Sequence, residues 1–173
     1  MPDAPGLELI GGEIQRDRPG AVLATSFDRG QAALVVDPEQ VLSVLGWLRD
    51  EPGQGYRFLS SLHVADYLPA APRFGVHYEL LNRDRVERIR VKAMLSDPAA
   101  GSDLPEIDSC VGLFPTAEAQ EREAFDFFGV VFRGHPNLTR ILLPEDYVGW
   151  PQRRDFPVGG EPVTFTYNER SYG

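Results

Sequence analysis

Cysteine is almost absent from this sequence, since Cys110 is the single thiol in 173 residues. One thiol cannot form an internal disulfide, and it cannot by itself hold an iron–sulfur cluster. The chain also lacks an apolar run long enough to cross a bilayer, and it lacks a basic-then-apolar signal at its start. We therefore expect a soluble intracellular protein from a reducing compartment.

Positively charged residues are also few relative to negatively charged ones. The sequence has 17 Lys and Arg against 26 Asp and Glu, which gives a formal net charge of −9 and a pI of about 4.8. This balance disfavours nonspecific binding to nucleic acid or anionic lipid. The length fits one domain with enough apolar residues to bury a core. We expect no nucleic-acid partner and no direct insertion into a membrane.

Two segments with alternating apolar residues, 74–81 and 87–95, predict neighbouring antiparallel strands with one buried face. A two-residue turn at Asp84-Arg85 would place Tyr78 opposite Val91 and Glu79 opposite Arg90. The basic side chains of the second strand then form a stripe on the outer face, which comprises Arg88, Arg90 and Lys92. Without an RNA-binding aromatic pattern, this stripe indicates a salt-bridged sheet face or a partner contact.

Other elements follow from local signals. Apolar runs at 21–27 and 31–36 predict a hairpin, and residues 56–67 are strand-like. Asp37 and Pro38 predict a helix start, with Gln40 closing a capping box, and Thr116 is an expected N-cap. Gly129 is the expected end of the second helix. The connection 96–109 is expected to turn helical near residue 107, and 130–132 to form a short strand.

These signals together predict an α+β fold in two layers. A mixed, largely antiparallel sheet should pack against helices at roughly 38–50 and 116–128. Residues 1–143 are expected to form the domain, with 1–20 as a loosely ordered lead-in rich in proline and glycine. Prolines at 144, 151, 157 and 162 forbid a long helix and discourage central strands. Residues 144–173 are therefore predicted to form an extended C-terminal arm.

Four acidic residues crowd the second helix and raise the possibility of a carboxylate metal site: Glu118, Glu121, Glu123 and Asp126. The Glu-x-x-His spacing of di-iron bundles is missing. Ion pairs of Arg122 with Glu118 and with Asp126, each at i,i+4 spacing, explain the cluster better, and acids suit a helix N-terminus. We expect no bound metal.

The histidines and the cysteine do not form a recognisable catalytic set. His63, His77 and His135 lie in different elements, and none has a local partner at metal-ligand spacing. His135, within Gly134-His135-Pro136, is expected to fix the arm by hydrogen bonds; a general base is the alternative, but no nucleophile matches it. Cys110, beside an apolar run, is expected in the core.

The arm has the composition of a protein interface. Its aromatic and basic residues include Tyr147, Trp150, Arg153, Arg154, Phe156, Tyr167, Arg170 and Tyr172. Such residues are enriched at protein interfaces, and a proline-rich segment loses little entropy on docking. We expect the arm to leave the domain core and contact a partner, chiefly through Trp150, Arg153, Arg154, Asp155 and Phe156. The alternative is an arm wrapped on its own domain.

The stretch from Glu121 to Pro157 resembles the signature of the C subunit of respiratory NADH–quinone oxidoreductase (complex I), the 30 kDa subunit family. The matching positions are Glu121-Arg122-Glu123, Asp126, Phe128-Gly129, Gly134-His135-Pro136, Arg140-Ile141-Leu142, Pro144-Glu145-Asp146, Gly149, Pro151, Arg153-Arg154-Asp155 and Pro157. Thr139, Tyr147 and Gln152 depart from the family pattern. The middle third is similar more weakly, and the first thirty residues do not contribute.

This resemblance implies a non-catalytic subunit of the peripheral arm on the cytoplasmic side of the membrane. It would dock on the large subunit (D) near the quinone site, beside iron–sulfur subunits B and I. FMN, iron–sulfur clusters and quinone would be bound by those partners, with no cofactor in this chain. The alternatives are the equivalent subunit of a hydrogenase or formate hydrogenlyase complex, an independent binding module, or a small hydrolase using His135 and the acidic helix.

Overall fold

The structure is a computed structural model that describes residues 2–98 and 104–157. Its main sheet contains β1 (Val22–Asp28), β2 (Gln31–Val36), β3 (Phe58–Asp66), β4 (Phe74–Asn82) and β5 (Glu87–Leu95). A small sheet contains β6 (Glu106–Asp108) and β7 (Val131–Arg133). The α-helices are α1 (Ala4–Asp17), α2 (Val41–Asp50) and α3 (Ala117–Phe128).

The main sheet is mixed and largely antiparallel, as predicted. Its strand order is β1-β2-β5-β4-β3, and only the β2–β5 pair is parallel. The small sheet pairs β6 and β7 in parallel. Buried side chains from the sheets and the three helices form one apolar core. The expected α+β class is therefore confirmed.

The predicted register of the central hairpin is also confirmed. Tyr78 lies opposite Val91, and Glu79 lies opposite Arg90. The connection is longer than the predicted two-residue turn, because strand pairing ends at Asn82 and Glu87. The Asn82 side-chain oxygen accepts the backbone N–H groups of Asp84 and Arg85 at 3.0 and 2.9 Å. This turn keeps the parity that the alternating pattern required.

The expectation of a loosely ordered lead-in is wrong, because residues 4–17 form helix α1. Asp3 caps it by accepting the Gly6 N–H at 2.8 Å. Leu7, Ile10 and Ile14 are buried at i, i+3 and i+7 spacing. A Cβ at Gly11 would lie 3.0 Å from the Thr25 methyl carbon, so glycine lets the helix approach β1 closely.

Helix α2 follows a 3₁₀ turn at Pro38–Gln40 and begins close to the predicted position. Asp37 accepts the Glu39 N–H at 3.1 Å, but the expected capping box does not form. Instead, the Gln40 amide reaches the Pro19 carbonyl at 3.5 Å. Trp47 is buried as well and donates its indole N–H to Asp17 at 3.0 Å. That bond ties α2 to the end of α1.

Two further expectations need correction. Residues around Ile107 form strand β6 rather than a helical turn, because they pair with β7. Thr116 precedes α3 but does not cap it, since its hydroxyl donates to the Leu59 carbonyl at 3.0 Å. Gly129 ends α3 in the left-handed region, with φ at 69°, as predicted. Across residues 2–98 and 104–157, we find no helix with the length and apolarity needed to span a membrane.

Candidate functional site

The candidate site is the junction at which α3 holds the segment 134–157, and we call it the α3–arm junction. Asp126 lies at its centre with its side chain fully buried. One carboxylate oxygen accepts the backbone N–H groups of residues 141, 142 and 143 at 3.0, 2.8 and 2.9 Å. The other oxygen accepts a guanidinium N–H from Arg140 at 2.7 Å. Burial alone would raise the pKa of Asp126, but these donors hold it below the ordinary value.

Arg140 links Asp126 to the first residues of the arm. Its guanidinium donates to the Tyr147 and Gly149 carbonyls at 3.0 and 3.1 Å. It also lies 4.7 Å from the ring centre of Trp150, within the range of a cation–π contact. A planar fork with several fixed donors suits this role better than a single ammonium would. Asp126 and Arg140 together fix the backbone course of residues 140–149.

Trp150 packs directly on the end of α3. Its ring meets Phe125 edge-on at 5.2 Å between centres. A Cβ at residue 129 would lie 2.6 Å from the Trp150 ring. Glycine is therefore required at position 129 for two reasons: the backbone has a positive φ, and a Cβ would overlap the indole ring. The helix stop and the arm contact depend on the same residue.

The remaining charged residues of α3 do not form the expected i,i+4 pairs, so that expectation is wrong. Glu121 is fully buried and accepts from the Ser109 hydroxyl at 2.6 Å and the Cys110 N–H at 2.7 Å. Burial raises the pKa of Glu121. Arg122 donates to the Thr139 and Arg140 carbonyls at 3.1 and 2.9 Å. Glu123 is exposed. Glu121 and Asp126 face inward because the loops around them supply hydrogen-bond donors.

His135 holds the following turn against α3. Its Nδ1 accepts the Asn137 N–H at 3.0 Å, so the proton of the neutral ring lies on Nε2. Nε2 then donates to the Glu118 carbonyl at 3.0 Å. Both ring nitrogens are occupied by the polypeptide, with Pro136 next in the chain. This arrangement gives the ring a structural use and offers no free nitrogen to a substrate.

A second contact of the arm forms around Arg73, whose side chain is buried. Arg73 donates to both oxygens of Asp66, at 3.0 and 2.8 Å, and to both oxygens of Asp155, at 3.0 and 2.6 Å. It also reaches Asp97 at 2.7 Å. Asp66 in turn accepts the Arg154 N–H at 2.9 Å. Although burial opposes it, the Arg73, Arg154 and Leu68 donors lower the pKa of Asp66 to about 2.

Two more arm residues pack between these contacts. The Arg153 guanidinium donates to the Phe128 carbonyl at 2.7 Å and lies 4.9 Å from the ring centre of Phe74. Phe156 stacks on Tyr147 at 6.4 Å between ring centres. A Cβ at Gly149 would lie 2.7 Å from the Phe156 ring. The arm is thus fixed along its length from Arg140 to Phe156.

The expectation that the arm leaves the domain core from Pro144 is therefore wrong for residues 144–157. Trp150, Arg153, Asp155 and Phe156 each contact the chain's own side chains or backbone, and Arg154 does so through its N–H. Residues 158–173, with Tyr167, Arg170 and Tyr172, lie outside the described residues. That these residues, or the exposed parts of 150–156, contact another subunit stays a prediction.

Sequence reasoning missed the Arg73 cluster. Its members come from separate elements, and Arg73 and Asp155 are 82 positions apart. Proline flanks Arg73, but nothing local marks it as a hub. By contrast, Cys110 is buried in the core as predicted, and burial raises the pKa of its thiol. Within the described ranges, no three His, Cys, Asp or Glu side chains are grouped to hold a metal ion.

Comparison with known proteins connects this geometry to a family. Residues 34–162 match the family described as "Respiratory-chain NADH dehydrogenase, 30 Kd subunit". The C subunit of NADH-quinone oxidoreductase from Roseiflexus castenholzii is 44% identical over 156 residues, which are 90% of this chain and 87% of that protein. The same subunit from Herpetosiphon aurantiacus is 45% identical over 142 residues, covering 82% of this chain and 80% of the relative.

Solved structures agree with this result. The trypsin-resistant fragment 1–134 of Nqo5 superposes with a TM-score of 0.60 at 26% identity, covering 76% of this chain and 98% of the fragment. A chain of the membrane-bound sulfane sulfur reductase, an archaeal respiratory membrane complex, gives a TM-score of 0.67 at 21% identity, covering 95% of this chain and 90% of that one, which shows a shared fold. The match over residues 34–162 includes the whole α3–arm junction. The chain belongs to the family of the 30 kDa subunit of the respiratory-chain NADH dehydrogenase.

Proposed function

We propose that this chain serves as the C subunit of an NADH–quinone oxidoreductase and acts as a structural subunit of its peripheral arm. The observation that carries the structural role is the use made of the α3–arm junction. Asp126 and Glu121 are both fully buried and both accept backbone N–H groups of the chain itself. Carboxylates that are buried and hydrogen-bonded in this way cannot contact a substrate.

The same geometry weakens the case for a hydrolase. A general base needs a free nitrogen within hydrogen-bond reach of a nucleophile or of water. His135 has both nitrogens bonded to the polypeptide, and Cys110 is buried with a raised thiol pKa. A buried, protonated thiol is a poor nucleophile. We infer that electron transfer from NADH to quinone proceeds on groups held by partner subunits.

The arm would supply the connection to those partners. The α3–arm junction fixes residues 140–157 before docking, so these residues lose less ordering entropy when they bind a partner. We propose that the arm, with the exposed parts of Trp150, Arg153 and Phe156, lies on the large subunit (D) near the quinone site. Iron–sulfur subunits B and I would be neighbours. FMN, iron–sulfur clusters and quinone would belong to partners on the cytoplasmic side.

A variant series in cells with no other copy of this chain tests the proposal. Asp126→Ala and Arg140→Ala should lower the amount of assembled complex, while NADH–quinone turnover per assembled complex stays unchanged. Glu118→Gln, at an exposed position of the same helix outside the family signature, is the matched control and should assemble normally. A variant that assembles fully but loses turnover would assign a catalytic role and contradict the proposal.

A second candidate is the equivalent subunit of another membrane-bound reductase or of a hydrogenase complex. The shared fold with a chain of an archaeal sulfane sulfur reductase favours keeping it. A mass-spectrometric inventory of the complex that co-purifies with this chain separates the two. NADH-oxidising flavoprotein subunits support the first candidate, and a nickel–iron hydrogenase or sulfur reductase large subunit supports the second.

A further inference from the structure

One face of the main sheet is not covered by the helices in the part of the chain that the structure describes. Alternate residues of a strand point to opposite faces. Leu34 on β2 and Val91 on β5 belong to the apolar core beneath the helices. Ala33 and Val35 on β2 point the other way and are partly exposed. We call this second side the open face.

The open face contains a depression of about 230 Å³. Ala33 and Val35 form its apolar part, and its other lining side chains are polar or charged: Ser26, Asp28, Gln31, Tyr67, His77, Arg90 and Lys92. Such a lining selects a partner by charge and hydrogen bonding more than by apolar area. The charges of the bordering groups indicate what kind of partner it accepts.

Lys92 is the most informative of these groups, because it is the only lysine in the sequence. Its ammonium lies 4.2 Å from the ring centre of Tyr67. Among the ion pairs of the described residues, none involves Lys92. An ammonium has three donors, and a cation–π contact on one side leaves the others available for a carboxylate.

Neighbouring side chains hold this lysine in place. The Tyr67 hydroxyl lies 3.1 Å from Nε2 of His77, which fixes the ring beneath the ammonium. A Cβ at Gly75 would lie 2.7 Å from the Tyr67 ring and 3.2 Å from the Lys92 side chain. Nδ1 of His77 is buried without a hydrogen-bond partner. Burial and the nearby charges lower the pKa of His77 to about 3, so the positive charge here belongs to Lys92 and the arginines.

The basic residues of the open face outnumber its acidic ones. Glu79 forms an ion pair with Arg90, whereas Asp28, which lines the depression, is 81% exposed and lies 3.7 Å from a similarly exposed Arg29. Arg88 and Lys92 form no ion pair among the described residues, so Asp28, Glu79, Arg88, Arg90 and Lys92 together leave one positive charge on this face. The chain as a whole has a net charge of −9, so a positive patch on it is a local departure. Complementary potentials predict an acidic partner rather than a basic one.

We propose that the open face is a docking surface for an acidic segment of a neighbouring subunit, with a carboxylate of that segment bound to the Lys92 ammonium. This inference rests on the proposed function, because it places the partner within the same complex. The apolar floor at Ala33 and Val35 accepts the stem of the acidic side chain. The Tyr67 ring and Gly75 position the ammonium to meet its carboxylate.

The presence of a single lysine allows a direct test by amine labelling. The intact purified complex and the isolated full-length chain are treated with the same acetylating reagent, and modification of Lys92 is followed by mass spectrometry. We expect labelling of Lys92 to be at least about tenfold slower in the complex, as for a group buried in an interface. Equal labelling rates would overturn the proposal.

Zero-length carbodiimide coupling identifies the partner in the same sample. It joins an amine to a carboxylate in contact, so we expect a peptide in which Lys92 is linked to an Asp or Glu of another subunit. Lys92→Glu should lower assembly by about tenfold or more, since like charges then meet. Arg16→Glu, at an exposed position of α1, is the matched control and should assemble normally. Normal assembly of Lys92→Glu would sink the proposal.

The two proposals fail in different ways. If the chain co-purifies with a respiratory complex but Lys92 stays reactive, the docking surface is wrong and the proposed function stands. If the chain does not co-purify with such a complex, both are wrong. A Lys92 cross-link confined to a second copy of this chain would also contradict an acidic neighbouring subunit.

Discussion

Single charged residues decide the conformation of the α3–arm junction. The Asp126 carboxylate accepts hydrogen bonds from three backbone N–H groups and a guanidinium in place of water, whereas Glu123, on the same helix, is exposed. The sequence marks both as acids of one helix and cannot separate them. Their difference depends on the donors that residues 140–143 bring to Asp126, and the position of this loop follows no periodic pattern. The helical spacing therefore predicts ion pairs on the surface, whereas the structure has buried carboxylates at Glu121 and Asp126.

Asp126→Asn should destabilise the protein substantially. The substitution removes the charge that balances the largely buried Arg140 side chain and replaces the carboxylate with a weaker acceptor for the N–H groups of residues 141–143. Breaking a buried ion pair on one side typically costs about 3–5 kcal/mol. Urea unfolding of the full-length chain measures the change. Glu123→Gln is the control and should shift the free energy of unfolding by no more than about 0.5 kcal/mol. A similar small shift for Asp126→Asn would refute the role given to this residue.

Glu121 makes a prediction about pH because its folded-state pKa is raised above the ordinary 4.5. The folded protein then binds the Glu121 proton more tightly than the unfolded chain does. Its contribution to stability is complete below the unfolded pKa and is lost as pH rises through the folded pKa. The stability of the wild type relative to Glu121→Gln should therefore fall as pH rises from 4 upward. Unfolding curves at several pH values check this, and a difference that grows with pH would have the wrong sign.

Among the helices and strands, a long periodic pattern of apolar residues was sufficient to predict the element. The alternation in 74–81 and 87–95 gave strands β4 and β5 with their register. Helix α1 was missed because Pro5, Gly6, Gly11 and Gly12 outweighed the spacing of Leu7, Ile10 and Ile14. Strand β6 was missed for another reason. It has only three residues, and its parallel partner β7 lies 25 positions later, so no local signal distinguishes it from a loop.

The packing of α1 can be tested with a matched pair of substitutions in that helix. Ile14 is fully buried, whereas Leu9 is 69% exposed. Ile14→Ala should lower the free energy of unfolding by about 2–5 kcal/mol through lost burial and the cavity left behind. Leu9→Ala should change it by no more than about 0.5 kcal/mol. Equal effects in thermal or urea unfolding would show that α1 does not belong to the core.

The Arg73 cluster should control how firmly residues 153–156 lie on the sheet. Arg73→Met removes donors from Asp66, Asp97 and Asp155 and leaves buried Asp66 without its counter-ion. We expect amide hydrogen exchange at Arg154 and Phe156 to become at least about tenfold faster, as for a locally opened segment. Exchange of the central β4 and β5 amides provides the internal reference. Unchanged protection of the Arg154 and Phe156 amides would show that the Arg73 cluster does not hold this segment on the sheet.

At the scale of the whole molecule, the domain and the first part of the arm form one body. Residues 144–157 are held by α3 and by Arg73, so the domain does not end at residue 143 in its packing. The family could be predicted from the sequence because the signature residues of 121–157 are dense and ordered. The intramolecular position of Trp150 and Asp155 could not, because interface composition does not say which surface is contacted.

The most direct test of the structural role is a truncation after Pro157 in cells with no other copy of the chain. This end point keeps every described arm contact, whereas truncation after Leu143 would remove the Arg73–Asp155 and Gly129–Trp150 contacts. The amount of assembled complex and the NADH–quinone turnover per assembled complex are measured together, with thermal unfolding of the truncated chain as control. We expect an unchanged unfolding temperature, reduced assembly and unchanged turnover per complex. Normal assembly, with or without normal turnover, would contradict the structural role.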